Sequence, residues 1–162
     1  MERQLKLEGV GAKVFCIDTS ALFNLKPYPK DIFPSLWSKL EGMIKTGELI
    51  SPREVLNEVN VGKDEISAWC NRNKKMFIDI DECQRQEIQN IKAKYTYDCW
   101  IRETSKPGFW ADPWIIALSI CDDAIIVADE SNRQDRIPTI AAALNRNCIN
   151  LYDFFRQIGI KY

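Results

Sequence analysis

Lys13-Val14-Phe15-Cys16-Ile17-Asp18 is a short apolar run that ends in an acid. Four apolar residues in succession read as a strand buried on both faces, the kind that fills the middle of a parallel sheet. A carboxylate has no packing purpose at the end of such a strand. Asp18 therefore marks a strand whose carboxyl end opens to solvent, although a plain turn acid before Thr19-Ser20 is the simpler alternative. Ala21-Leu22-Phe23 then turn the chain into a helix.

Outward from this strand, strands and helices alternate. Pro27, Pro29 and Pro34 punctuate a loop, and Ser35 to Lys45 carries helical spacing through Leu36, Trp37, Leu40 and Met43/Ile44. Gly47 ends that helix, and Glu48-Leu49-Ile50 is a second strand. Ser51-Pro52-Arg53-Glu54 reads as a helix start, with Ser51 as N-cap, Pro52 as first helical residue and Glu54 closing a capping box. A helix at about 64–73 leads to a weak strand at 76–80 and a long polar helix at about 81–101. Asp112-Pro113 opens an apolar helix to Cys121, Asp123 to Ala128 is a strand, and residues 129–136 form a polar loop. A helix from Ile137, a last strand at 148–151 and a closing helix to Ile158 complete the chain. This alternation predicts a three-layer α/β/α fold with a mostly parallel central sheet, formed by residues 1–162 as one domain. In such sheets functional side chains gather at the carboxyl ends of the strands.

Composition narrows the chemistry. The 162 residues are 46% hydrophobic and 28% charged, ordinary for a soluble globular domain, and the formal net charge is −1. No global basic field announces a nucleic-acid binder, so phosphate contacts need a local cluster. The start, MERQLKLEGVGAK, lacks the apolar core of a signal peptide, and no run approaches a membrane span. A cytoplasmic protein without membrane contact is expected, and its six cysteines, none spaced C-x-x-C, are expected as buried free thiols. The sequence has no histidine. Imidazole acid–base chemistry, Ser-His-Asp triads and His-containing zinc sites are excluded. Carboxylates remain, and they favour the hard cations Mg²⁺ and Mn²⁺.

Acids stand where an open sheet edge can collect them. Asp18 follows the first strand, Glu58 lies in the helix after the second, Asp112 begins the apolar helix, and Asp129-Glu130 follow the fourth strand. Each has a structural reading as well. Asp112 before Pro113 looks like an N-cap, Asp129 and Glu130 suit a polar loop, and Glu58 suits a solvated helix face. The joint pattern in a histidine-free chain is harder to dismiss than any member.

At these residues the chain resembles the PIN-domain nucleases, and within them the PIN-like group DUF4411. The resemblance runs from about Val14 to Tyr162 through FCIDTSAL (15–22), SPREVLNEV (51–59), ADPWIIALS (111–119), IIVADES (125–131) and CINLYDFF (148–155). It implies four acids matching Asp18, Glu58, Asp112 and Glu130 around Mg²⁺ or Mn²⁺. Asp18 and Asp112 are expected to ligate directly, with Glu58 and Glu130, or Asp129, holding a second metal or metal-bound waters. The fourth acid normally follows in the pattern T-x-D. Here Ala128-Asp129-Glu130 lacks the hydroxyl, which leaves Asp129 and Glu130 in competition for that place. Thr19 matches a hydroxyl that supports the first acid in relatives.

The implied activity is metal-dependent endoribonuclease cleavage, leaving a 5′-phosphate and a 3′-hydroxyl, often as the toxin of a toxin–antitoxin pair. RNA and a protein antitoxin are the implied partners; PIN domains also often form homodimers, but no patch of this sequence can be assigned to one. Lys106, Arg133 and Arg136 are candidates for phosphate contacts and Trp110 for base stacking. Ordinary solvated charge and core packing are their respective alternatives. Two competitors stand beside this reading. One is an inactive PIN-fold module that binds RNA or protein, suggested by the Ala128 departure. The other is a phosphotransfer fold with an aspartate nucleophile, opposed by Ser20 standing where a second acid is needed.

Overall fold

The computed structural model describes residues 13–94, 110–131, 133 and 136–161. Five strands form one sheet: β1 (Phe15–Ile17), β2 (Leu49–Pro52), β3 (Phe77–Ile78), β4 (Ile125–Val127) and β5 (Cys148–Ile149). Their order is β3-β2-β1-β4-β5 and every pairing is parallel. The expected α/β/α architecture is what the chain adopts. β1 lies at the centre, with Phe15 opposite Leu49 on one side and Ile125 on the other. Chain order reverses direction across the sheet at β1 and β4, and the carboxyl ends of these two strands frame a natural crevice.

Eight α-helices flank the sheet among the described residues: α1 (Thr19–Phe23), α2 (Pro34–Thr46), α3 (Arg53–Gly62), α4 (Glu65–Arg72), α5 (Glu82–Lys94), α6 (Asp112–Cys121), α7 (Ile137–Ala143) and α8 (Leu151–Gln157). Gly47 ends α2 at φ 80°, a left-handed position where a side chain is strained. α6 is buried nearly all round, with Ile115, Ile116, Ala117 and Leu118 at no exposure, because it lies directly beside the central strands. That burial fixes Asp112, its first residue, relative to β1. None of the described helices is long and apolar enough to cross a membrane.

Two expectations fail here for physical reasons. The capping box at Ser51 does not form. Ser51 stays extended because β2 continues to Pro52 and pairs with β3, Ser51 opposite Phe77. Its hydroxyl donates instead to the Ile17 carbonyl at 2.7 Å, tying β2 to the end of β1, and α3 begins after Pro52 without a side-chain cap. The cysteines are not all free thiols either. Cys83 and Cys121 form a disulfide joining α5 to α6, while Cys16 and Cys70 are buried free thiols and Cys148 a half-buried one. Spacing in sequence could not reveal that bond, since it depends on two helices packing side by side.

Candidate active site

The backbone brings Asp18 to the crevice by continuing the β1–β4 ladder one step past the strand: its amide donates to the Val127 carbonyl at 2.9 Å. Its side chain then caps α1. Oδ2 accepts from the Ser20 hydroxyl at 2.7 Å and the Ser20 amide at 3.3 Å. The turn reading of Asp18 is thus real, but it uses one oxygen only. Oδ1 is buried and has no hydrogen-bond partner among the described residues. A buried carboxylate oxygen left bare costs free energy unless something positive meets it.

Glu58 reaches the same place from α3. Oε1 accepts from the Thr19 hydroxyl at 2.6 Å and Oε2 from the Ala111 amide at 3.2 Å. Thr19 therefore holds Glu58, while the neighbour that supports Asp18 is Ser20. Asp112, 7% exposed, begins α6 and accepts a side-chain hydrogen bond from Trp110. Ala111 occupies the N-cap position of that helix without a side-chain cap, so Asp112 does not serve as the cap that Asp-Pro suggests.

Glu130 and Asp129 go to different work. Asp129 Oδ1 accepts from the Leu151 amide at 2.8 Å and Oδ2 from the Asn24 amide group at 2.9 Å, clamping the end of β4 to α8 and α1. Its own amide donates to the Ser20 hydroxyl at 3.0 Å. Glu130 turns into the crevice instead, accepting from the Ile137 amide at 3.1 Å with the Arg136 guanidinium 3.8 Å away. The structure thus separates the pair: Glu130 lines the crevice and Asp129 braces it from outside. Asp129→Ala removes two accepted hydrogen bonds and should cost about 1–3 kcal/mol of stability, read by chemical denaturation, without moving Glu130.

Asp18, Glu58, Asp112 and Glu130 line one hollow of about 660 Å³, with Thr19, Ser20, Phe23, Val61, Trp110 and Arg136. The acids feel one another. Burial, then the charge of Glu130, pushes the Asp18 carboxyl up from 3.8 to about 7. Burial, then Asp18, Glu130 and Glu58, pushes Asp112 well above the usual carboxylate range. Burial also raises Glu58, against the pull of its Thr19 and Ala111 hydrogen bonds. Among the described residues, no three acids or cysteines close into a formed metal cage. The acids stand round a shared space, each drawn back to its own partners.

Of the substrate-contact candidates, Arg136 and Trp110 line the hollow and Arg133 is not among its lining residues. Lys106 lies outside the described residues. Sequence reasoning missed Ser20 as the support of Asp18 and the apolar walls Phe23 and Val61. The signal for Ser20 was present, because Asp-Thr-Ser-Ala before a helix is a capping pattern in which the acid accepts from the N2 amide.

The DUF4411 family model, described as a domain of unknown function, matches residues 15–162. The chain belongs to the DUF4411 family. Curated proteins give no match. Among solved structures, this DUF4411 chain is similar to the crystal structure of PAE2754 from Pyrobaculum aerophilum, at 12% sequence identity and a TM-score of 0.48, covering 92% of this chain and 98% of that one. A likeness at that level carries nothing about activity. The DUF4411 chain does gather Asp18, Glu58, Asp112 and Glu130, four acids, round one hollow. Their number, burial and mutual repulsion make the hollow suited to a small, hard cation that takes oxygen ligands.

Proposed function

We propose that this protein is a PIN-like, divalent-cation-dependent endoribonuclease. The observation that carries the reading is the unpartnered, buried Asp18 Oδ1 in a hollow lined by three further acids from three other elements. A fold that only needed a turn at Asp18 would have no use for the second oxygen or for the acids opposite it. The donor set, all carboxylate, fits Mg²⁺ or Mn²⁺.

Asp18 and Asp112 would hold the cation, with Glu58 and Glu130 beside them; it would neutralise the acids, acidify a bound water and polarise the scissile phosphate. The rest is the work of the chain itself. Ser20 fixes Asp18 by one oxygen and so leaves the other facing its neighbours. Thr19 and the Ala111 amide hold Glu58, and the Ile137 amide holds Glu130. Arg136, within reach of Glu130 and lining the hollow, is a cation available to a substrate phosphate. Phe23, Val61 and Trp110 give the hollow apolar walls against which a nucleobase can rest.

In the PIN-like setting this activity suits the toxin of a toxin–antitoxin pair, its partner a protein segment that covers the hollow. A binding-only module is the second reading, favoured by Ala128, which is buried at 3% exposure where the family pattern has a hydroxyl. Incubation with single-stranded RNA separates the two. The nuclease reading expects endonucleolytic products with 5′-phosphates in Mn²⁺ or Mg²⁺ and none in EDTA. Retention of RNA on the protein without cleavage in either cation would favour the binding module.

A further inference from the structure

α5 packs along α6 through a narrow buried stripe. Only Gln84, Ile88 and Ile91 of its residues Glu82–Lys94 are buried, and Gln84 Oε1 is buried without a hydrogen-bond partner among the described residues. Beneath its carboxyl-terminal half lies a hollow of about 400 Å³, where Glu87, Asn90 and Lys94 face Ile120, Leu144 and Asn145. Packing across such a gap forfeits the contacts a close-packed helix would make. At the other end of the helix, in its first turn, Cys83 is bonded to Cys121, the last residue of α6. Cys83 is exposed and Cys121 half-buried, so reductants and oxidants in solution can reach this bond.

We propose that Cys83 and Cys121 are a reversible oxidation site, and that the disulfide reinforces the docking of the first turn of α5 on the end of α6. In oxidation by a small-molecule disulfide, the Cys83 thiolate attacks one sulfur and releases one thiolate. The Cys121 thiolate then attacks the Cys83 sulfur of the mixed disulfide and releases the second. Two electrons pass to the small molecule, and the two protons lost by the cysteines end on its two thiols. Reduction by a thiol runs the same steps backwards. The bond closes a covalent loop of residues 83–121 that contains Trp110 and Asp112, two residues that line the acid hollow. The inference does not depend on the nuclease reading.

The test uses the full chain in buffers of oxidised and reduced glutathione, with free thiols alkylated under denaturing conditions and counted by intact mass. The oxidised protein should take two fewer labels than the reduced protein, the missing ones mapping to Cys83 and Cys121. Amide hydrogen exchange across 82–94 should speed roughly tenfold or more on reduction, with β1 and β4 unchanged. Cys83→Ser and Cys121→Ser in oxidised buffer should each exchange like reduced wild type. Equal labelling in both buffers, pairing of other cysteines, or unchanged exchange across α5 would overturn the proposal. So would equal acceleration throughout the sheet, which would make the bond a global staple rather than a latch on one helix.

Discussion

Asp18→Asn should melt roughly 10 °C above the wild type at pH 8 in EDTA, the change expected when several kcal/mol are added to a domain of this size. The reason is the burial of Asp18, at 2% exposure, beside other acids. Its folded carboxyl titrates at about 7, raised from 3.8 by burial first and by Glu130 next. A raised folded value means that the neutral form is the one the fold tolerates. Between pH about 4 and 7 the unfolded chain gives up this proton while the native chain keeps it. Stability is therefore greatest below that window, falls as pH rises through it, and levels off above about 7. At about 1.4 kcal/mol per unit, the full cost is on the order of 4 kcal/mol. Asparagine carries no charge and can still accept from Ser20, so the variant escapes the cost. The advantage should shrink to less than half at pH 5, and Mn²⁺ should narrow it at pH 8 by stabilising the wild type alone. A variant no more stable than wild type at pH 8 would mean that Asp18 is not under this electrostatic load.

The second large effect is on turnover. Asp112→Asn and Glu130→Gln should each lower the rate of RNA cleavage by about 10²–10³-fold, the scale of removing one preorganised charge from a reaction centre. Asp112→Asn should not lower the melting temperature, because it removes a repulsive charge rather than a packing group. For Asp112 the fold already disfavours the charge, chiefly through burial and then through Asp18. Glu130→Gln also discriminates between the neighbouring acids. Its loss should far exceed that of Asp129→Asn, since Asp129 spends both oxygens on Asn24 and Leu151. Kinetics measured at saturating Mn²⁺ decide this. Equal losses at 129 and 130 would show that the clamp and the crevice cannot be separated.

The fold was legible because burial on both faces leaves its mark on single strands. FCI and IIV are apolar throughout, and in the structure they lie side by side as β1 and β4. The acids were legible as positions, since Asp18, Asp129 and Glu130 follow strands, Asp112 opens a helix and Glu58 lies in the helix that leaves β2. Their partners were not, because a hydrogen bond depends on where a side chain is aimed. Thr19 and Ser20 are adjacent hydroxyls, yet one serves Glu58 and the other Asp18. Only the direction of the backbone through α1 decides which.

Asp129 and Glu130 show the same limit from the other side. Both follow β4, and the register of a sequence pattern cannot say which turns inward. The choice is made by Asn24 and the α8 amide capturing Asp129, contacts more than twenty residues away in sequence. Ser51 was misread because a local capping signal competes with strand pairing. Its pairing with Phe77 prevails. The disulfide depended on α5 and α6 lying together, which their own residues do not announce.

The central claim is that a cation belongs between Asp18 and Asp112. Titration of Mn²⁺ into the metal-free full chain, followed by the loss of its free-ion paramagnetic signal, tests it without reference to RNA. Saturable uptake by the wild type, abolished when Asp18→Asn and Asp112→Asn are combined in a folded protein, is the predicted result. Equal uptake by the wild type and the double variant would contradict it.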